Sequence, residues 1–116
     1  MRARIREANT GAVVKLSGKI SVGAGDLKLE EIVGSLLESG KKRIVLDLER
    51  VSYLDSSGLG SMVACQKAAA EKDAELVLLR PTGKVLDVLI LTGLKQFFAI
   101  FQDESIALAG PAPAEV

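Results

Sequence analysis

The sequence predicts a mixed α/β domain. One sheet, mostly parallel beyond an N-terminal β-hairpin, is covered by about four helices. Three observations carry this reading. Apolar and polar residues alternate with a period of two at Arg2–Glu7 and again from Ala12 to Leu16. Short β-rich runs then take turns with helical stripes, in the order β-β-α-β-α-β-α-β-α. Glycine, proline and asparagine punctuate the joints. Parallel strands joined by helices call for right-handed crossovers.

Each element has its own justification. Ala3 and Ile5 face one side of the first strand, and Arg2, Arg4 and Arg6 face the other. Asn9-Thr10-Gly11 supplies the turn, and Ala12, Val14 and Leu16 share one face of the second strand. Three glycines between Gly18 and Gly25 mark a loop. Asp26 can cap the first helix, whose stripe is Leu29, Ile32, Val33, Leu36 and Leu37. Ser39-Gly40 stops it, and Lys41-Lys42-Arg43 suits the negative end of its dipole as a solvated helix end. Ile44-Val45-Leu46 lacks alternation and predicts a central strand, with a corner from Val51 to Gly60. A helix over 57–72 turns Leu59, Met62, Val63 and Ala69 or Ala70 inward. Leu76–Leu79 is the next strand. Pro81-Thr82-Gly83 leads into a helix through Val85, Leu86, Leu89 and Ile90. Phe97–Phe101 is expected as the last strand, with its three phenylalanines in the core, and Asp103–Ala109 as a short helix.

Composition bounds the function. The chain has 116 residues, enough for one core without disulfides or metal. Residues 1–110 read as one domain and 111–116 as a Pro/Ala tail. Apolar residues make up 48% and charged residues 26%, as in globular proteins. Fifteen basic residues balance fifteen acidic ones. Nucleic-acid binding through phosphates calls for a basic excess, so no nucleic-acid partner is expected. The sequence has no His and one Cys. A Ser-His-Asp triad, a Cys-His pair and a His-ligated metal site cannot be built from it alone, so no metal and no cofactor are expected. Cys65 reads as a small apolar filler on a helix, and one cysteine fits a reducing compartment. Met1 to Glu7 lacks the apolar run of a signal peptide. No stretch reaches the roughly 18 apolar residues of a span, so no membrane insertion is expected.

Several motifs fail on inspection. A P-loop is absent, because Gly83-Lys84 is followed by Val85 and Leu78 stands at the earlier glycine position. Gly58-Leu59-Gly60 lacks the third glycine of a dinucleotide fingerprint, which would fall at Val63. The serine elbow of hydrolases is missing around Ser57. A phosphoacceptor-aspartate receiver site lacks its third acid beside Asp47 and Asp55. What remains is Asp55-Ser56-Ser57-Gly58-Leu59-Gly60, placed between a buried strand and a helix. One of its first three residues can cap that helix. A serine at a helix start is also a site where a phosphoryl group, adding about −1.5 to −2 charges, is tolerated by the fold. A docked partner would not tolerate that charge, which makes a local electrostatic switch. Gly58 and Gly60 would let a partner's backbone approach closely.

This string, after a hydrophobic strand, resembles the signature of the STAS-domain anti-sigma factor antagonists. The resemblance runs from the hairpin and Gly18-Lys19-Ile20 to Thr92-Gly93-Leu94 and the final helix. It implies the STAS fold and a cytoplasmic bacterial binding protein that is not an enzyme. Such a protein, unphosphorylated, binds an anti-sigma factor serine kinase of the histidine-kinase-like ATPase fold, and a sigma factor is released. Phosphorylation dissociates the complex, and a PP2C-type phosphatase resets it. The resemblance puts the phosphoacceptor at Ser56, with Asp55 organising the site by hydrogen bonding and Ser57 as a capping hydroxyl. Ser57, Gly58, Leu59 and Gly60 complete the switch segment. One departure stands out. Lys19 and Ser21 occupy places where the family carries acids, in a loop that contributes to the partner surface, and Lys19 reverses the local charge. A monomer is expected when free.

Two other readings stand beside this one. The first is a STAS scaffold or regulatory module of a stress-signalling complex or of a lipid ABC transporter. The second is an enzyme using Asp55 with Asp47 or Glu49 as paired carboxylates. Outside the signature, Tyr53 is open between a partner contact and a core wall, and Leu59 or Met62 would join a partner patch if outward-facing.

Overall fold

The alternation at the N-terminus builds a hairpin, and the helical stripes lay three helices against a single face of the sheet that grows from it. The computed structural model describes residues 1–109. The tail expected over 111–116 lies outside them. The elements are β1 (Arg2–Ala8), β2 (Gly11–Ile20), α1 (Asp26–Glu38), β3 (Arg43–Leu54), α2 (Ser56–Glu71), β4 (Glu75–Leu79), α3 (Gly83–Leu91), a 3₁₀ turn at Lys95–Phe97, β5 (Ile100–Phe101) and α4 (Glu104–Ala109). The five strands lie in the order β1-β2-β3-β4-β5. Among the described strands, β1 and β2 pair antiparallel and each later pair is parallel. The expected class and element order are those observed.

Two cores follow from the strand pleat. Val14, Leu16, Ile44, Leu46, Leu76 and Leu78 pack with Leu29 and Val33 of α1, Met62 of α2 and Val85 and Leu89 of α3. Val13, Val45, Val77 and Leu79 face the other way and pack with Phe101 of β5 and Ala107 of α4. Among the described residues, the six of α4 cover this second face at its β3–β5 end.

The structure corrects four local expectations. First, β2 runs on through Gly18-Lys19-Ile20 and β3 through Val51–Leu54, where a loop and a corner were expected. The two strands pair to their ends, Gly18 with Val51, Lys19 with Tyr53 and Ile20 with Leu54, and register shifts absorb the glycine. Second, the last strand shrinks to Ile100–Phe101. The Gln66 amide donates to the Phe97 carbonyl at 3.1 Å, and Phe97 sits in the 3₁₀ turn, 39% exposed. Phe98 and Phe101 are core residues and Phe97 is not. Third, Gly25, with φ of 102°, takes the cap position of α1, and Asp26 follows it as the first helical residue. Fourth, Lys41-Lys42-Arg43 is no solvated helix end. Lys42 Nζ donates to the Lys72 carbonyl at the end of α2, at 2.7 Å. Arg43 is buried, pairs with Glu75, donates to the Ala107 carbonyl at 2.8 Å and lies over the Phe101 ring. Arg43 opens a central strand, so its side chain must enter the second core, where α4 supplies an acceptor.

Candidate functional site

The extra length of β2 and β3 positions the site. Their last residues, Ile20 and Leu54, end side by side, and α2 starts two residues after Leu54. Asp55 bridges strand and helix in extended geometry, with φ of −102°. Its Oδ1 accepts the Gly58 N–H at 2.9 Å, and its carbonyl accepts the Leu59 N–H at 2.9 Å. This is an N-cap, so one amide of the first turn is satisfied by a side chain. The second oxygen, Oδ2, accepts the Val22 N–H at 3.2 Å. One carboxylate thus starts α2 and ties down the loop after β2. Ser57, expected to be a capping hydroxyl, lies inside the first turn, because Asp55 already fills the cap.

The Gly58 amide holds the Asp55 carboxyl below its ordinary value of 3.8, burial partly opposes this, and the Val22 amide adds to it. The sign of the linkage follows. The folded form prefers the carboxylate, so this contribution to stability is present above the unfolded value of 3.8 and lost as pH falls through the depressed folded value. Wild type is therefore expected to melt above Asp55→Asn at neutral pH, with the gap closing in acid. Thermal melts of both proteins across pH check this, and a gap independent of pH would contradict it.

Ser56 is the first residue of α2 and is exposed, while Ser57 is half-buried. Lys19 is exposed and Ser21 half-buried. Ser21 and Ala24 exchange backbone hydrogen bonds of 3.1 and 2.8 Å, which closes the loop into a tight turn. Lys19, Ser21, Asp55, Ser56, Ser57 and Gly60 therefore meet at one end of the sheet. Gly58 and Leu59 point inward. A Cβ on Gly58 would come within 2.0 Å of the Ile20 carbonyl oxygen, so the backbone that approaches Gly58 belongs to this chain and not to a partner. Leu59 and Met62 are both buried, so neither joins an outward patch. Gly60 has open space around it.

Sequence reasoning missed two residues of this surface. Val22 and Leu27 are each 71% exposed, and Tyr53 is 47% exposed. Leu27 falls off the apolar stripe of α1, the signal that could have found it. Val22 is hidden among the glycines of its loop. With Tyr53 these side chains expose apolar area to water on the loop after β2, the first turn of α1 and the end of β3. Ser61 was also missed. It is buried, and its hydroxyl donates to Glu30 at 2.7 Å, tying α2 to α1. Cys65 is the expected filler, and burial first, then the Glu30 charge, pushes its thiol up to about 12.

Asp47 and Glu49 do not join Asp55. Asp47 is fully buried, its Oδ1 accepts the Glu49 N–H, and Arg80 lies 3.8 Å from it and 3.5 Å from Glu49. Along the strand, Asp47 is roughly 25 Å from Asp55, too far for a carboxylate pair.

The comparisons agree with this architecture. A model of the STAS domain matches residues 2–107. The anti-sigma-B factor antagonist of Staphylococcus aureus is 34% identical over 87 residues, 75% of this chain and 80% of that protein. The anti-sigma factor antagonist SpoIIAA in its unphosphorylated form superposes with a TM-score of 0.76 at 20% identity, covering 90% of this chain and 92% of that one. The Bacillus cell fate determinant SpoIIAA in the phosphorylated form gives 0.72 at 19% identity, over 91% and 96% of the two chains. At those identities the structural likeness is one of fold.

Proposed function

The chain belongs to the STAS domain family, and we propose that it is an anti-sigma factor antagonist switched by phosphorylation of Ser56. One observation carries the reading. Ser56 stands exposed at the first position of α2, and the capping duty a serine would have there is discharged by Asp55. Its hydroxyl is left available for chemistry.

Unphosphorylated, the chain binds an anti-sigma factor through the Ser56 end, with Val22, Leu27 and Tyr53 supplying apolar contact and Lys19 a charge. That partner is a serine kinase of the histidine-kinase-like ATPase fold, and binding frees the sigma factor it held. The kinase then moves the γ-phosphoryl group of ATP to Ser56 Oγ. The hydroxyl proton leaves and ADP is the product. The new dianion sits at the positive end of α2, so the fold keeps its shape while the apolar contact is lost. Asp55 holds the loop at Val22 in place throughout and repels the added charge. Lys19 offsets part of that repulsion. A PP2C-type phosphatase hydrolyses the phosphoserine and restores binding. The chain is a binding module of the cytoplasm, monomeric when free, and performs no catalysis itself. The names of its relatives support the class of function, and SpoIIAA is a protein of this fold with unphosphorylated and phosphorylated forms.

The test is phosphosite mapping of the protein isolated from its native cells. Tandem mass spectrometry is expected to place one phosphoryl group on Ser56 and none on Ser56→Ala. Phosphoryl on Ser57 with Ser56 unmodified would overturn the assignment.

A further inference from the structure

The part of the sheet's second face that α4 leaves bare carries concentrated positive charge. Arg2 pairs with Ser17 and Ser17 with Arg50, while Arg4 pairs with Lys15. Residues opposite one another share a face, and Arg6, opposite Val13, fixes it as the face of the second core. Arg2, Arg4, Lys15, Ser17 and Arg50 line one depression of about 440 Å³. Arg2, Arg4, Lys15 and Arg50 are exposed, and among the described residues none forms an ion pair. The acids nearby are few: Asp47, opposite Lys15 on β3, is buried beneath the surface, and the others have cations of their own. Arg80 lies beside Asp47 and Glu49, and Arg6 holds Glu104. In a chain of zero net charge this is segregation of charge, not excess. Cations on β1 would by themselves serve to keep an edge strand from pairing with another sheet. Lys15 and Arg50 stand on inner strands, where edge protection requires nothing.

We propose that this face docks an acidic, extended segment of a protein partner. Neighbouring strands are about 4.8 Å apart, and alternate residues of one strand about 7 Å apart. The four cations therefore form a field roughly 10 Å across, which matches the length of an extended segment better than a single phosphate. An extended segment with carboxylates at alternate positions repeats the Arg2 to Arg4 spacing. Guanidinium groups take carboxylates two hydrogen bonds at a time, and the Ser17 hydroxyl adds a donor or acceptor. The depression has no aromatic side chain on which a nucleic-acid base could stack and no large aliphatic to insert into a bilayer. The surface includes no residue of α2, and it is expected to operate whatever the state of Ser56.

The test uses isotope-labelled full chain titrated with an acetylated peptide of about eight residues alternating Glu and Ser. Saturable amide shifts are expected at Arg2, Arg4, Lys15, Ser17 and Arg50, weakening as salt is raised. Arg4→Glu/Arg50→Glu is expected to bind about tenfold more weakly. Lys15→Gln/Arg50→Gln, a milder pair, is expected to weaken binding with unchanged circular dichroism. Ser56→Glu is expected to titrate like wild type, which separates this surface from the phosphorylation switch. Absence of saturation, or equal shifts at Lys28, Lys67 and Lys84, would overturn the proposal. So would tighter binding of inorganic phosphate, of a single-stranded oligonucleotide or of phosphatidylglycerol vesicles.

Discussion

Ser56→Glu is expected to lose the anti-sigma factor while keeping its fold. A carboxylate placed at the first position of α2 meets the exposed side chains of Val22, Leu27 and Tyr53 in any complex formed there. An unpaired charge buried at an interface costs about 2–5 kcal/mol, so affinity falls roughly thirtyfold to several-thousandfold. The free protein is spared this cost. The N-terminus of a helix favours negative charge, and Asp55 rather than Ser56 holds the cap. Calorimetric titration with the purified anti-sigma factor measures the first effect. Circular dichroism and the melting temperature, both expected to match wild type, measure the second.

Gly58→Ala is expected to damage the fold itself. Its Cβ would stand 2.0 Å from the Ile20 carbonyl oxygen and 2.8 Å from Leu54 Cδ1. The nearer atom is backbone at the end of a paired strand, so α2 or β2 must move. Overpacking of this kind costs about 3 kcal/mol or more, and the melting temperature is expected to drop by on the order of 10 °C. Gly60→Ala is the control. It lies two residues along the same helix with nothing within 4 Å of its Cβ. There the alanine is expected to stabilise by about 0.5–1 kcal/mol, because glycine is a poor helix residue. Thermal melts of the two variants decide the matter. Equal effects would mean that close approach of Ile20 is not why Gly58 is glycine.

The sequence made the fold legible because its signals are local. Period-two alternation in the hairpin, the stripe of α1 and the uninterrupted Ile44-Val45-Leu46 run each report burial directly. The misread elements are those where a distant partner overrides the local signal. Gly18 looks like a loop, yet β3 pairs alongside it and keeps β2 extended. Arg43 looks solvated, yet it opens a central strand beneath α4. Phe97 has a strand former's side chain, but Gln66 takes its carbonyl. At the site, the string from Asp55 to Gly60 marked the place, while the roles within it needed coordinates. Asp55, Ser56 and Ser57 can each cap a helix, and only geometry shows that Asp55 does so. The apolar surface of Val22, Leu27 and Tyr53 joins a loop, a helix and a strand that no short motif links. The cationic sheet face is invisible to a composition whose charges cancel.

In the proposed switch, negative charge at Ser56 controls partner binding. Paired pull-down from lysate of the source organism, with wild type and Ser56→Glu as baits and mass spectrometry as readout, tests it most directly. Wild type is expected to capture a serine kinase of the histidine-kinase-like ATPase fold, and Ser56→Glu is not. The same kinase recovered equally by both baits would contradict it.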